Sequence, residues 1–408
     1  MLNNIIAQSP KEIDLTNERH SRLILEAVEA ILQEGYSLHK IQEIEDKLIS
    51  RNDSSLIFIL LALKIAKSKI LVSKINEPLF VTVVFAVYKE HNRIKKSSEH
   101  EHGEDFLRRK INQMEWLFGT NPKIKWELVV VDDGCPEGSG KIAQQIIDED
   151  KLHKKARVLF LADAIKNKYP PTRTLTSTKE SQKGGSIIYG MWNAVQAHKI
   201  NDHIVVFTDA DLSTHLGQLM LLIDPILNNG KLVAIGSRRE PTSVVIKKGT
   251  RNNRGKLFIY LWKRLIPNIG NIVDTQCGFK AFKSDVVPII IEDMIERKFA
   301  FDIELLLRTE LQQSGSIAKV PVAWIDSEAA STTTDLQPYL PMLKAIVKMN
   351  RKYFPDNESA NEFADFIDSL DENSFNRLLN NIPENIVKRN PIEFGEYDKV
   401  RVDDLVLK

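Results

Sequence analysis

Two patterns of hydrophobic and polar positions alternate along this chain, and each change of pattern marks an element. Across residues 17–34, NERHSRLILEAVEAILQE, apolar residues recur at steps of three and four, the spacing of a helix with one buried face. Gly35 follows as a stop. Residues 38–48 and 56–72 continue the same spacing, so residues 1–78 are expected to form a helical extension. The longest apolar run, LIFILLAL at 56–63, is ended by Lys64 and is far short of the roughly 20 residues that cross a bilayer. From residue 80 the pattern changes. FVTVVFAV at 80–87, WELVVV at 126–131, IVVF at 204–207 and LVAIGS at 232–237 are short apolar runs that end in polar residues, with helix-like sequence after the first two. Strands alternating with helices predict βαβ units, a mostly parallel sheet and an α/β domain over residues 79–354. Beyond Pro355, residues 356–370 and 374–382 read as two short helices of a C-terminal extension, 355–408. No internal repeat is present.

Composition narrows the picture little. The 408 residues are 43% apolar and 27% charged, as expected of a globular protein. A net charge of +1 provides no field for nucleic acid. The two cysteines, Cys135 and Cys277, suit a reducing compartment rather than a disulfide framework. The first residues lack the basic start and long apolar run of a secretory leader. A cytoplasmic protein is therefore expected, or one peripheral on the cytoplasmic face of a membrane. Residues 256–269, KLFIYLWKRLIPNI, mix aromatic, aliphatic and basic side chains, as either an interfacial helix or a packed core helix does. His91, His100 and His102 share a charged loop with Glu99, Glu101 and Glu104, which reads as a solvated loop before it reads as a metal site.

The strand ends carry the candidate chemistry. In HIVVFTDADLST, Asp209 and Asp211 follow a buried strand with only Ala210 between them. A strand delivers such carboxylates to the carboxyl edge of the sheet, where open α/β sheets bind ligands. Hard oxygen ligands suit Mg²⁺ or Mn²⁺, which bind through one or two carboxylates plus substrate phosphates. Asp132 and Asp133 end another strand, where they either accept from a ribose or base or cap the helix expected from about Ser139. Lys183 precedes Gly184-Gly185 and a helix, an arrangement that serves an anion or a plain turn. Asp302 and Glu304 stand inside the apolar run FAFDIELLL. On a strand they share a face, on a helix they diverge by about 200°, and Asp302 at a helix start is also a potential cap. Arg251 and Arg254 lie in KKGTRNNRGK, either a phosphate-binding stretch or a solvated loop.

The blocks AVYKE, VVVDDG, KGGSIIYGM, FTDADLST, IGSR, DTQCGFKAF and FAFDIELL, in this order, resemble family 2 inverting glycosyltransferases of the GT-A fold. The subgroup they are most similar to is that of the dolichyl-phosphate glucosyltransferases and polyprenyl-phosphate mannosyltransferases. The resemblance covers residues 79–354. It implies a nucleotide-sugar pocket of Ala86, Tyr88, Glu90, Asp132, Asp133, Lys183, Gly184, Asp209, Ala210 and Asp211, with Asp209 and Asp211 on Mg²⁺ or Mn²⁺. It further implies Arg238 at a phosphate, Asp302 as the acid at the reaction centre, and Arg251, Arg254 and Gln276 toward the acceptor. The expected donor is UDP-glucose, with GDP-mannose second, and the expected acceptor is polyprenyl phosphate, with a saccharide, small molecule or protein as alternatives. A catalytically inert nucleotide-sugar-binding module is the alternative of a different class. A nucleotidyltransferase is disfavoured because no G-x-G-T-R-type loop follows the first strand. Ala86 and Lys89 depart from the family pattern, as do Cys135-Pro136-Glu137 and the long charged loop 89–110.

Overall fold

Short apolar runs with both faces greasy need cover on both sides, and a sheet between two helical layers provides it. The computed structural model describes residues 5–6, 9–10, 12–246, 252–326, 338–395 and 400–405. In it, β1 (Leu79–Val87), β2 (Ile124–Asp132), β3 (Ala156–Phe160) and β4 (His203–Thr208) join β5 (Val233–Ser237), β7 (Phe279–Lys283) and β8 (Ile317–Pro321) in one sheet. Their order is β3-β2-β1-β4-β7-β5-β8. Only β7 runs against its neighbours β4 and β5. A separate two-stranded parallel ribbon pairs β6 (Val244–Ile246) with β9 (Ala323–Ile325). This is the expected mostly parallel α/β core.

Successive side chains of a strand face opposite layers, and β1 shows it: Val81, Val83 and Phe85 enter one core, Val84 the other. Helices α1 (Glu18–Gln33), α2 (Leu38–Ile49), α3 (Ile57–Ser73), α4 (Phe106–Phe118), α5 (Ser139–Glu149) and α8 (Leu219–Asn228) cover the first. The second lies under α6 (Leu161–Lys166), α7 (Gly184–Ala197), α9 (Asn252–Leu265), α10 (Val287–Ile291), α11 (Phe301–Gln312) and α12 (Tyr339–Tyr353). The C-terminal helices α13 (Glu358–Ser369), α14 (Glu372–Asn380) and α15 (Glu384–Val387) complete it. At Gly190 of α7 a Cβ would sit 2.4 Å from Val84 Cγ1, so the glycine lets this helix lie close on the sheet.

The helix expected over 56–72 forms: α3 runs through Lys64 to Ser73, buried on nearly every side. The ammonium is fully buried, 2.6 Å from Glu45 of α2 and 3.2 Å from the Pro321 carbonyl. Residues 1–78 thus contribute a core helix to the catalytic layer. Of the two readings of 256–269, the packed core helix holds and the interfacial helix does not. Leu257, Phe258, Tyr260, Leu261, Trp262 and Leu265 are all buried. Lys256 and Lys263 donate to the Val387 and Pro391 carbonyls at 2.6 and 2.8 Å, and Arg264 to that of Gly395 at 2.9 Å. The C-terminal extension covers this helix. No helix among the described residues is long and apolar enough to cross a membrane.

Candidate active site at the carboxyl edge of the sheet

The register brings the candidates together. Val87 pairs with Asp132, and Thr208 pairs with Phe279, so β1, β2 and β4 end at one edge where antiparallel β7 begins. Tyr88, Asp133, Asp209 and Gly278 are the next residues outward. β5 ends at the same edge and leads into Arg238.

At the β1 end, Ala86 is half-buried and Tyr88 is exposed. Lys89 takes φ +58 and donates its N–H to Cys135 Sγ at 3.1 Å. The Glu90 N–H donates to Ser139 Oγ, which ties this loop to the start of α5. Asp132 is held by backbone: Oδ1 accepts the N–H groups of Gly134 and Cys135 at 2.9 and 3.0 Å, and Oδ2 that of Gly140 at 2.8 Å. A Cβ on Gly140 would meet Asp132 Cβ at 2.5 Å. Asp132 therefore shapes the turn, as the capping alternative expected, while Oδ2, with a single donor, keeps room for a further hydrogen bond. Asp133 accepts the Ser186 hydroxyl at 2.6 Å and the Lys183 N–H at 2.7 Å, which fixes the entry to α7. Burial raises its carboxyl against those hydrogen bonds. Lys183 is held there at φ +88, a backbone region that side chains rarely adopt.

The Asp209-Ala210-Asp211 turn is built differently. Lys183 Nζ lies 2.5 Å from Asp209 Oδ1. Burial acts to raise the Asp209 carboxyl, but Lys183, with Lys280 and Arg238 behind it, prevails and holds it below the usual range. A Cβ on Gly278 would meet Asp209 Oδ2 at 2.2 Å, which accounts for the glycine in DTQCGFK. Asp211 Oδ1 accepts the Ser213 N–H at 3.0 Å, while Oδ2 stands 3.8 Å from Arg93. Beneath the turn, fully buried Lys110 donates to the Asp211 carbonyl at 2.7 Å, and desolvation lowers its pKa to about 8. Arg93 bridges Glu90 and Glu104 at 3.1 and 2.9 Å. Burial, opposed by Arg93 and reinforced by Asp211 and Glu104, pushes Glu90 up to about 7.

Asp302 sits at the second position of α11 and makes no capping bond; the residue before the helix, Ala300, has no side-chain cap either. The cap reading of Asp302 therefore fails. Its Oδ1 lies 2.8 Å from Lys280 Nζ, which also donates to the Cys277 carbonyl at 2.5 Å and is itself fully buried. Burial raises the Asp302 carboxyl while Lys280 and Lys183 pull against it. Glu304 diverges, as a helix requires, and accepts from the backbones of Ile295 and Glu296 and from the Tyr353 hydroxyl. Arg238 is clamped by Asp274 through its backbone N–H, Nε and Nη2 at 2.8, 2.8 and 2.7 Å. Its guanidinium stacks 5.2 Å over Trp324. Burial would raise Asp274, but Arg238 holds it at about 2.

Gln276 lies in this turn with its Nε2 buried and unpartnered. Arg254 is half-buried in the first turn of α9, where neighbouring Gly255 approaches Arg239 and Tyr339. Arg251 lies outside the described residues. Asp274, Gly278 and Lys280 belong to the block DTQCGFKAF, and Arg93, Glu104 and Lys110 to the loop 89–110, but the sequence alone assigns none of them a role at the site.

The site fits a hard divalent cation in its donor chemistry. Asp209 Oδ2 and Asp211 Oδ2 have no hydrogen-bond donor among the described residues, and the nearby Ser213 hydroxyl is buried and unpartnered. Two carboxylates are too few for a protein-only cage, and no group of three His, Cys, Asp or Glu residues that could hold a metal occurs among the described residues. Phosphate oxygens would complete such a shell.

The model of the family "Glycosyl transferase family 2" matches residues 82–287. The dolichyl-phosphate beta-glucosyltransferase of Saccharomyces cerevisiae is 26% identical over 263 residues, 61% of this chain and 68% of that protein. A dolichyl-phosphate beta-glucosyltransferase of Trichomonas vaginalis is 25% identical over 252 residues, 60% of this chain and 64% of that protein. The chain thus spans about two thirds of the length of these relatives. A solved structure of glucosyl-3-phosphoglycerate synthase from Mycobacterium tuberculosis with UDP aligns at 16% identity and a TM-score of 0.47, covering 72% of this chain and 86% of that one.

Proposed function

The chain belongs to glycosyl transferase family 2, and from that premise we propose that it moves a hexose from a nucleotide sugar to a polyprenyl phosphate with inversion. UDP-glucose is the favoured donor, in keeping with the names of the yeast and Trichomonas relatives, and GDP-mannose the second. The observation that carries this reading is the convergence of Asp209, Asp211, Lys183 and Asp302 at one sheet edge, with a free oxygen left on each aspartate of the turn.

In this reading Asp209 and Asp211 hold Mg²⁺ or Mn²⁺, which when bound neutralises charge on the pyrophosphate leaving group. Lys183 is already placed beside Asp209 and supplies fixed positive charge where the leaving group develops its own. Tyr88 and Glu90 border the pocket on the β1 side, and Asp133 keeps the Gly184 turn in place for the donor. Asp302 faces the same centre, steadied by Lys280. A phosphate monoester acceptor is already ionised, so Asp302 then orients the reacting groups; for a hydroxyl acceptor it is the general base. Arg238, preset by Asp274, presents its remaining donors to a phosphate, and Arg254 and Gln276 lie toward the acceptor.

A soluble acceptor is the second reading, and one observation favours it: the aromatic helix α9 is sealed by the C-terminal extension and offers no apolar face to a lipid. Incubation with labelled UDP-glucose or GDP-mannose, Mn²⁺ and a short-chain polyprenyl phosphate decides between them. Label in the organic phase supports the lipid acceptor. Transfer only to soluble saccharides refutes it while leaving sugar transfer standing.

A further inference from the structure

Outside the catalytic edge, a cavity of about 480 Å³ opens between the loop before α7, the loop before α11 and helix α12. Its wall carries four cations, Arg297, Lys298, Lys344 and Lys348, and two carboxylates, Glu180 and Glu296. Both carboxylates are engaged by protein donors. Glu180 accepts the N–H and hydroxyl of Thr176 at 2.8 Å each, and Glu296 accepts the Lys298 N–H at 2.5 Å. Four cations against two carboxylates leave the wall at +2. Among the described residues, none of the four cations is in an ion pair.

Arg297 is the informative member. It is only 8% exposed, yet among the described residues its Nε is buried with no hydrogen-bond partner. Among the same residues its Nη1 reaches only the carbonyl of Glu296, at 3.3 Å. A buried guanidinium with no carboxylate within 4 Å is costly even with the charges of Glu304 and Glu296 acting on it from further away, and an orphaned buried donor calls for a physical reason. A planar fork of donors lining a basic cavity matches the oxygens of a phosphate. The same residue is tied to the catalytic edge: its carbonyl accepts the Gly185 N–H at 2.7 Å, two residues beyond Lys183. A Cβ on Gly184 would meet the Arg297 and Lys298 carbonyls at 2.6 and 2.5 Å, so the two loops are in close contact. Downstream, the Arg297 loop runs directly into α11 and Asp302.

We propose that this cavity binds the dianionic phosphate group of a small ligand, held by Arg297 together with Lys344 and Lys348, and that its occupancy is felt at Lys183 and Asp302 through the Arg297–Gly185 contact. Phosphate binding in the cavity does not depend on the sugar-transfer reading, whereas its effect at Lys183 and Asp302 rests on that reading. Inorganic phosphate is titrated calorimetrically into the full chain without metal or nucleotide, at ionic strength fixed with chloride. Single-site binding is expected, weakened about tenfold or more by Arg297→Gln, the loss of a charged hydrogen bond. The double variant Lys344→Gln/Lys348→Gln, altered on the partly exposed side of α12, is expected to show a comparable loss and covers the case in which Arg297→Gln misfolds. Asp211→Asn is expected to bind phosphate as the wild type does. Competition by a short-chain polyprenyl phosphate would identify the acceptor's own phosphate as the occupant, and its absence would identify a separate phosphorylated ligand; both accord with the proposal. No phosphate binding to the wild type, or equal affinity in the wild type and both cavity variants, would overturn it.

Discussion

Two buried parallel strands of this sheet each end in a pair of acids, and the pairs are put to different uses. After β2, Asp132 gives both oxygens to backbone N–H groups and Asp133 gives both to the start of α7. After β4, Asp209 and Asp211 each keep one oxygen without a hydrogen-bond donor among the described residues, and both side chains remain about a third exposed. The same residue type at the same edge thus builds a turn in one place and leaves ligating capacity in the other. Counting engaged oxygens separates architecture from chemistry where the sequence shows only acids.

The largest expected effect lies on the β4 side. Asp211→Asn should lower turnover by roughly 10³-fold if the carboxylate holds a cation that offsets several kcal/mol of leaving-group charge. Thermal stability of the metal-free protein should fall by only about 1 kcal/mol, because the 3.8 Å pair with Arg93 is lost while Arg93 keeps Glu90 and Glu104. Unaltered kcat would break the contrast between the two strand ends.

Asp302→Asn should lower kcat by about 10²-fold with donor affinity retained. It should also destabilise the fold by about 3–5 kcal/mol, because fully buried Lys280 loses its charged partner. Replacing Lys280 by Met in the same chain should restore stability without restoring turnover. Recovery of both together would mean that Asp302 has only a structural role.

On the β2 side the order of effects reverses. Asp132→Asn turns one accepting oxygen into a donor facing backbone N–H groups, and should cost about 1–3 kcal/mol of stability. Its kcat should stay within tenfold of wild type, as paired denaturation and rate measurements would show.

The smallest effect concerns Glu90. Its folded pKa of about 7 lies above the ordinary carboxyl value, so the folded state binds the proton more tightly than the unfolded one. Stability from this group is present at low pH and is lost as pH rises from about 4.5 through 7. In protein free of metal and nucleotide, Glu90→Gln should therefore gain Tm relative to wild type steadily between pH 5 and pH 7.5. A flat difference would mean that Arg93 keeps Glu90 ionised throughout.

The strand ends were legible because apolar β-branched runs stop sharply at polar residues, and the helices of the extensions because their spacing is regular. What escaped the sequence was long-range pairing. Lys64 reads as the end of an apolar run until Glu45, on another helix, is seen to neutralise it. The cap alternative for Asp302 stays open until Lys280, 22 residues earlier, is seen to take its carboxylate. Residues 256–269 carry the composition of an interfacial helix, and nothing in their own pattern reveals that the backbone of residues 387–395 satisfies their basic side chains. The division of labour between Asp132 and Asp209 was equally hidden, since it depends on which backbone N–H groups point at each oxygen.

The most direct measurement is the thermal shift produced by UDP with Mn²⁺ and with EDTA, on wild type, Asp211→Asn and Asp132→Asn. At about one hundred times Kd a bound ligand adds about 2.7 kcal/mol of stability. The account predicts a Mn²⁺-dependent shift in wild type and in Asp132→Asn, lost in EDTA and absent from Asp211→Asn. An equal shift in Mn²⁺ and EDTA, or one that survives in Asp211→Asn and disappears in Asp132→Asn, would contradict it.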